Sequence, residues 1–407
     1  MLRRLRLGCG LVAALAVLIL ATVAAPAAQP RRQAIRRARN AKQSSSVPLR
    51  ELEPAGITKF STPGPGAVGL PVQCDANGNV YMNAGPVAQV IEDAREGIGE
   101  PLTKLSLGSG NTVEFALPAF PRYAERFGRG FYVTPRGDVY ALAEAYRHKA
   151  GFKGANWAHI FVVKYDGDGT VDSTAELEPP QGMHLEVWKL AAFLDGNFLV
   201  MGFEVSGPHL APVKPFTGIF DRGGGYVGPL VLPNDVTQPK HMPPPIPFKN
   251  GKPVRPLSFK RVAHPVPPKP GSLWFFDVQQ SLIVGALDGT LYLMRATSPM
   301  RLYTISSTGT VLGEHLVKPP RPGMRPAQAS LAGQGMLLME FLRPATPQSP
   351  HFHQTYARVD PHTGKVVETY DVSPKAGMAA CMDEQNELLF LRSSKAGRLE
   401  VAKYVGQ

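Results

Sequence analysis

Asp75-Ala-Asn-Gly-Asn-Val-Tyr81 forms a tight turn that leads into an apolar strand, and the chain repeats this pattern. Copies follow at residues 135–140, 194–199, 287–292, 333–338 and 383–389. Each copy places Gly or Asn where a hairpin turn needs positive φ. These marker residues are Gly78, Gly137, Gly196, Gly289, Gly335 and Asn386. Repetition at this scale predicts an array of small sheets.

A second class of Gly-containing turn alternates with the first. Its copies lie at residues 107–113, 165–171, 220–227, 307–311 and 360–366. The segments between the turns are rich in Val, Ile, Phe, Tyr and Leu, as half-buried strands are. Two hairpin turns per repeat imply four antiparallel strands, which is the composition of a propeller blade. The sequence therefore predicts an all-β propeller, with six four-stranded blades as the leading count.

The last repeat is short of one strand. Only 21 residues follow Asn386, enough for two more strands. An unfilled blade would leave an exposed edge, which is an aggregation hazard. The segment Gly56–Ser61 has strand character and no turn of its own. We expect it to pair with Leu399–Tyr404 and close the ring.

These turns resemble those of six-bladed β-propellers of the broad NHL-like and TolB-like type. The residues that carry the resemblance are the Asp-x-x-Gly-x-Val-Tyr turn at 75–81 and its variants around Gly137, Gly196 and Gly289. The likeness covers most of residues 55–407 and concerns architecture only. The superfamily includes lyases, lactonases, scaffold domains and exported proteins without known activity, so the fold does not choose among them.

The spacing between marker residues is irregular at one place. Successive spacings are 59, 59, 93, 46 and 51 residues. The interval of 93 holds either an insertion or a seventh blade. Residues 229–271 are basic and rich in Pro, which cannot enter a central strand. We expect an extended loop there, either lying over the ring as a structural strap or placing cations over one mouth of the channel.

The first 27 residues read as an export signal. Arg3, Arg4 and Arg6 precede an apolar stretch from Leu11 to Val23, and Ala25-Pro-Ala27 fits a cleavage site. The alternative is an uncleaved membrane anchor, although the apolar stretch is short for a span. A periplasmic or extracellular location is expected.

Residues 28–54 form a basic arm that contains serines and is expected to be disordered. Its positive charges are Arg31, Arg32, Arg36, Arg37, Arg39 and Lys42. Such a run is typically a solvated tail, and it also suits an anionic surface such as lipid headgroups or glycans. Nucleic acid is disfavoured because no aromatic residue lies among the arginines to stack on bases.

Two cysteines, Cys74 and Cys381, remain once a signal containing Cys9 is removed. They lie in the first and last repeats, and two cysteines in an exported chain are candidates for a disulfide. Aligning Asp75 with Asp383 offsets the two cysteines by one residue. Because a one-residue offset reverses the side-chain face of a strand, this alignment counts against the bridge.

The sequence has no His-Glu-x-x-His zinc motif, no Gly-x-Ser-x-Gly nucleophile elbow and no phosphate-binding Gly-rich loop with Lys-Ser/Thr, so the marks of metalloprotease and nucleotide chemistry are missing. Asp166–Asp172 resembles a calcium loop, but an EF-hand in that register needs Gly and Glu where Val171 and Leu177 stand. A hairpin turn explains that segment better.

His351 and His353 are weak candidates for a metal site, since no third ligand is near in sequence. A divalent ion in a propeller channel would need ligands from several blades. Side chains that qualify only by type are His148, His159, His184, Glu186 and Asp277. Trp157, Trp188 and Trp274 suit either a glycan groove or packing between blades.

The leading hypothesis is a monomeric, non-enzymatic exported propeller that binds a protein or glycan and needs no cofactor. The alternative is a metal-dependent lyase or lactonase with its site in the channel. A third hypothesis is a structural protein of the cell envelope, tethered by the basic arm.

Overall fold

The computed structural model describes strands and the turns that join them. It covers residues 47–63, 67–85, 102–148, 156–206, 211–233, 248–249, 252–253, 281–296, 299–344, 352–372, 376–394 and 398–406. The predicted signal peptide, most of the basic arm and most of the Pro-rich segment lie outside these residues, as do His351, Asp277 and Trp274. Within the described ranges, no helix has the length and apolarity that crossing a bilayer requires.

The strands, in chain order, are β1 (Leu49–Pro63), β2 (Ala67–Cys74), β3 (Val80–Gly85), β4 (Leu102–Ser106), β5 (Asn111–Phe115), β6 (Glu125–Val133), β7 (Val139–Tyr146), β8 (His159–Tyr165), β9 (Val171–Glu176), β10 (His184–Ala192), β11 (Phe198–Ser206), β12 (Ala211–Phe220), β13 (Tyr226–Pro229), β14 (Phe248–Lys249), β15 (Lys252–Pro253), β16 (Leu282–Gly285), β17 (Leu291–Arg295), β18 (Met300–Ile305), β19 (Val311–Val317), β20 (Arg325–Leu331), β21 (Leu337–Pro344), β22 (Phe352–Val359), β23 (Val366–Asp371), β24 (Met378–Met382), β25 (Leu388–Ser393) and β26 (Arg398–Gly406). One 3-10 turn, Gly333–Gly335, lies between β20 and β21.

Four separate sheets each contain four consecutive antiparallel strands: β2–β5, β6–β9, β10–β13 and β16–β19. A fifth sheet has eight strands in the order β20-β21-β22-β23-β1-β26-β25-β24. Strands β2, β6, β10, β16, β20 and β24 each contact the next in this order, and β24 contacts β2. We call each set of four paired strands that starts with one of them a group. The eight-stranded sheet holds the last two groups, β20–β23 and β24–β26 with β1. The predicted all-β propeller architecture is therefore confirmed.

The turns have the backbone that their sequences predict. All six marker residues have positive φ, from 63° at Asn386 to 91° at Gly196 and Gly289. In the second class of turn, Gly110, Gly169, Gly309 and Gly364 also have positive φ. Since positive φ is costly for most side chains, glycine at these points fixes where each strand reverses.

The N-terminal strand pairs with the last strand, as the sequence predicts. Ile57 is opposite Ala402 and Lys59 is opposite Glu400 in the antiparallel pair β1–β26. Phe60 is buried against the core. The two ends of the described chain therefore share one sheet and close the ring by hydrogen bonds.

Two details of this region differ from expectation. Residues 49–54, predicted to belong to the disordered arm, are part of β1. Leu49–Glu51 pair in parallel with Thr369–Asp371 of β23, and Leu52–Pro54 pair with β26. This pairing rests on backbone hydrogen bonds rather than on an apolar pattern, so the sequence of side chains does not predict it. It also joins the last two groups of four strands into one eight-stranded sheet, where separate blades were expected.

The core lies between neighbouring sheets. Aromatic side chains cross some of the boundaries, such as Phe115 on Tyr165 at 5.4 Å between ring centroids and Tyr356 on Phe390 at 5.8 Å. Both pairs have the edge-to-face geometry that aromatic rings favour. Packing therefore holds neighbouring groups of four strands face to face, leaving the first strand of each group nearest the axis.

Cys74 and Cys381 form a disulfide between the first and last groups of strands. The one-residue offset that counted against the bridge is what this arrangement requires. Sheets in a ring present opposite faces to their two neighbours, so equivalent positions never face each other. Cys381 packs with Val80 of the first sheet, whereas Met382 packs on the other side with Tyr356. The inference from the alignment was wrong because it treated the two sheets as one.

Candidate functional site: the mouth of the channel between the second and third sheets

The two ends of the ring differ in what connects the strands. The recurring Gly turns all lie at one end, because each joins the first strand of a group to the second or the third strand to the fourth. The connections between sheets, and those between second and third strands, lie at the other end. β6 and β10 begin at this second end, so Glu125 and His184 lie at its rim.

Bulges interrupt β6 and β10 at equivalent positions. The register of β6 shifts between Gly128 and Gly130, and that of β10 shifts between Val187 and Lys189. Arg129 and Trp188 are therefore the extra residues. A bulged residue is released from the ladder and its side chain is redirected, which is why bulges are frequent beside functional sites.

Arg129 pairs with a deeply buried carboxylate. Its Nη2 atom lies 2.6 Å from Oε2 of Glu144 on β7, and the Glu144 side chain is only 1% exposed. The Tyr146 hydroxyl donates to the same oxygen over 2.9 Å. Burial and the neighbouring Glu144 carboxylate raise the pKa of Tyr146, which keeps its hydroxyl a donor. A buried charge with both partners in place forms a rigid polar group.

Glu186 on β10 is the second carboxylate of this region. Burial raises the pKa of Glu186, the negative charge of Glu144 adds to the rise, and a hydrogen bond from Trp188 opposes it. Trp188 packs edge-to-face on Phe203, with ring centroids 5.1 Å apart. We call Arg129, Glu144, Tyr146, Glu186 and Trp188 the mouth cluster.

A glycine on the neighbouring strand permits this geometry. A Cβ atom on Gly202 of β11 would lie 2.0 Å from the carbonyl oxygen of Glu186. Gly202 pairs with Val187, immediately before the bulge. Only a residue without a side chain lets β11 approach β10 this closely, so Gly202 supports the position of the mouth cluster.

A second group of side chains lies at the rim. The Trp157 ring stacks on His184, with centroids 3.7 Å apart and planes 2° from parallel. His159 Nδ1 lies 2.6 Å from Glu176 Oε1, and the Tyr123 ring is 4.9 Å from the His159 ring. Burial, and then the proximity of His159, lower the pKa of His184. We call these five residues the rim group.

The candidates chosen by residue type are partly brought together. His159, His184, Glu186, Trp157 and Trp188 lie in the rim group or the mouth cluster. His148 is exposed and its backbone bonds to Asn156 instead. His353 is exposed on β22. In the part of the chain that the structure describes, no group of three or more His, Cys, Asp or Glu side chains is arranged to hold a metal ion.

The segment that resembles a calcium loop is a hairpin turn. Gly169 donates its backbone N–H to the Asp166 carbonyl over 3.2 Å, and Thr170 donates to the Asp166 carboxylate over 2.8 Å. The carboxylate therefore closes the turn, which is the role that its sequence predicts.

Arg129, Glu144 and Tyr146 were not predicted as site residues from the sequence. One signal was present: Glu144 stands in the strand Val139–Tyr146, which is otherwise apolar except for its tyrosines. A carboxylate in such a run is nearly always buried with a partner. The partner, Arg129, follows from the bulge in β6, which nothing in the strand pattern reveals.

The fold and the mouth cluster define this protein as a β-propeller with a polar site at one end of its channel. No protein-family profile matches the sequence, and no curated protein is similar to it. Similarity to solved structures is distant. A protein of unknown function from Dyadobacter fermentans has 8% identity and a TM-score of 0.47, covering 88% of this chain and 99% of its own.

Two enzymes are also similar in shape. Aldose sugar dehydrogenase from Streptomyces coelicolor, in its PQQ-bound form, has 11% identity and a TM-score of 0.39, covering 87% of this chain and 98% of its own. A gluconolactonase from Xanthomonas campestris has 11% identity and a TM-score of 0.37, covering 87% and 99%. At these values the likeness says nothing about activity, and the site must be judged from its own residues.

Proposed function

We propose that this protein is an exported six-bladed propeller that binds a hydroxylated, sugar-type ligand at the mouth cluster. The observation that carries the proposal is the ion pair of Arg129 with the buried Glu144 carboxylate, beside Glu186 and Trp188. Ligand sites are concave, with apolar or aromatic walls and a few fixed polar groups. The two bulged strands supply both kinds of group at one end of the channel.

A sugar-type ligand fits the chemistry of the cluster. Hydroxyl groups donate and accept at once, and they need both a donor such as the Arg129 guanidinium and an acceptor such as the Glu186 carboxyl. The Arg129 side chain is 31% exposed and thus reachable from solvent although it is paired with Glu144. The flat, amphipathic ring of Trp188 suits the apolar face of a sugar ring.

Six blades are favoured by the contacts around the axis. Six strands contact each other in a closed cycle, and each begins a group of four. The eight-stranded sheet divides at the short parallel pairing of β1 with β23, on either side of which all pairs are antiparallel. On this interpretation the Pro-rich segment 229–271 is an insertion rather than a seventh blade.

Export is supported by the N-terminal sequence and by the disulfide. Disulfides persist in oxidising compartments, and Cys74–Cys381 is of the structural kind that links two distant parts of the chain. N-terminal sequencing of the secreted protein tests cleavage near Ala28. If deleting Arg31–Lys42 abolishes retention in the membrane fraction, the arm is an envelope tether, as the third hypothesis holds.

Ligand binding is tested on an array of neutral and acidic saccharides. We expect binding by the mature protein and its loss in Glu186→Gln. Glu114→Gln is the matched control, because Glu114 is an exposed carboxylate on the outer strand β5. Equal binding by the two variants, or none by the wild type, would refute the proposal.

Elemental analysis separates this proposal from the enzymatic alternative. After extensive dialysis we expect no stoichiometric metal in the purified mature protein. One retained divalent ion per chain would favour the lyase or lactonase hypothesis over simple binding, since a channel metal is the feature on which that hypothesis depends.

A further inference from the structure

Lys189 lies on β10, the first strand of the third sheet. It follows the bulge directly and stands four residues before Phe193, the residue that opens the turn. Gln328 holds the equivalent place on β20, directly after a bulge and four residues before Ala332. The two side chains are therefore presented in the same way by their strands.

The contacts of Gln328 show where this position points. Its amide nitrogen donates to the carbonyl of Ala380 on β24 over 3.2 Å and to that of Val72 on β2 over 3.1 Å. These are the inner strands of the next two groups around the ring, so the Gln328 side chain points towards the axis. By equivalence, Lys189 projects an amine into the channel from the third group.

Lys189 has no counterion in the part of the chain that the structure describes. No carboxylate there forms an ion pair with it or contributes to its pKa. Burial alone lowers the pKa of Lys189 to about 8, which reflects the cost of a desolvated ammonium without a partner. A half-buried cation in a channel is a place where an anion gains stabilisation.

We propose that Lys189 binds the carboxylate of an acidic sugar whose ring lies at the mouth cluster. This inference rests on the proposed function and specifies its ligand. Three residue steps along β10, one of them bulged, separate Glu186 from Lys189 by about 7–10 Å. The same strand thus presents a hydroxyl-binding carboxyl at the mouth and an ammonium deeper in the channel, a span comparable with one sugar ring and its carboxylate.

Calorimetric titration with galacturonate, glucuronate, galactose and glucose tests the assignment. We expect the wild type to bind at least one acidic sugar about tenfold or more tightly than its neutral counterpart. Lys189→Met, which keeps the length of the apolar stem, should weaken binding of the acidic sugar until that preference is lost. Lys189→Arg, which retains the charge, should restore part of it.

Three outcomes would overturn the assignment. The first is an undiminished preference for the acidic sugar in Lys189→Met that is shown by thermal melting to be folded. The second is equal binding of acidic and neutral sugars by the wild type, which would leave the proposed function standing. Binding of none of the four sugars overturns the assignment, and the array with Glu186→Gln then decides the proposed function separately.

Discussion

Reduction of the Cys74–Cys381 disulfide offers a quantitative test of how the ring is closed. The bridge spans 307 residues of sequence, so in the unfolded chain it closes a very long loop. In the folded protein the same two groups of strands are already held together by the pairing of β1 with β26. Reduction therefore acts mainly on the unfolded state.

The size of the effect follows from the loop length. The chain-entropy relation gives about 6 kcal/mol at 25 °C for a loop this long. Removing natural disulfides typically costs about 2–5 kcal/mol, because the unfolded chain retains some structure. We therefore expect reduction to lower the free energy of unfolding by about 3–5 kcal/mol. For a domain stabilised by about 5–15 kcal/mol this is a large fraction.

Urea unfolding of the same protein with and without a phosphine reductant measures this difference. Using one sequence in both arms avoids the cavity that replacing Cys381 would create, since its side chain is fully buried. The variant Cys74→Ala/Cys381→Ala is the control, and its unfolding should not respond to the reductant. Mass spectrometry after alkylation establishes that both thiols are free.

A change below about 1 kcal/mol in the reduced wild type would refute the reasoning. It would mean that the unfolded ensemble keeps the first and last repeats close without the bridge. A shift of equal size in the control variant would show that the reductant acts elsewhere.

Three further predictions concern the turns and the channel. Gly224→Ala should destabilise the fold by more than about 2 kcal/mol in urea unfolding, because φ is 94° and a Cβ would lie 2.0 Å from a carbonyl of the second sheet. Gly110→Ala is the control: φ is 71° but the space around it is open, so the substitution should cost only about 1 kcal/mol. Glu144→Gln should lower the pKa of Glu186 in a carboxyl-carbon NMR titration, since removing one negative charge favours ionisation of the other; an unchanged or higher pKa would contradict the coupling. Lys189→Met should be more stable than the wild type at pH 7, because burial lowers the folded-state pKa of Lys189 and the charged amine destabilises the fold. The difference in free energy of unfolding should narrow as the pH rises from about 8 towards 10.5, where the amine becomes neutral. A difference that does not depend on pH would exclude this cause.

The turns were predictable because their cause is local. A hairpin that needs positive φ selects glycine or asparagine at one position, whatever surrounds it. Counting these turns predicted the groups of four strands, and the missing strand after Asn386 predicted the pairing of Gly56–Ser61 with the chain end. Where pairing depends on backbone groups alone, as for Leu49–Glu51, the side chains carried no such signal.

The candidate site depended on tertiary structure. The sequence alone determined that this chain is an array of short antiparallel strands closed by its own N-terminal segment, because turns and strand periodicity are properties of neighbouring residues. Only the folded ring decided that Arg129 meets Glu144, that Lys189 follows a bulge on β10 and that Cys74 faces Cys381. Bulges shift the side chains out of the simple alternation, and face-to-face sheets reverse the expected partners, so neither effect can be read from spacing.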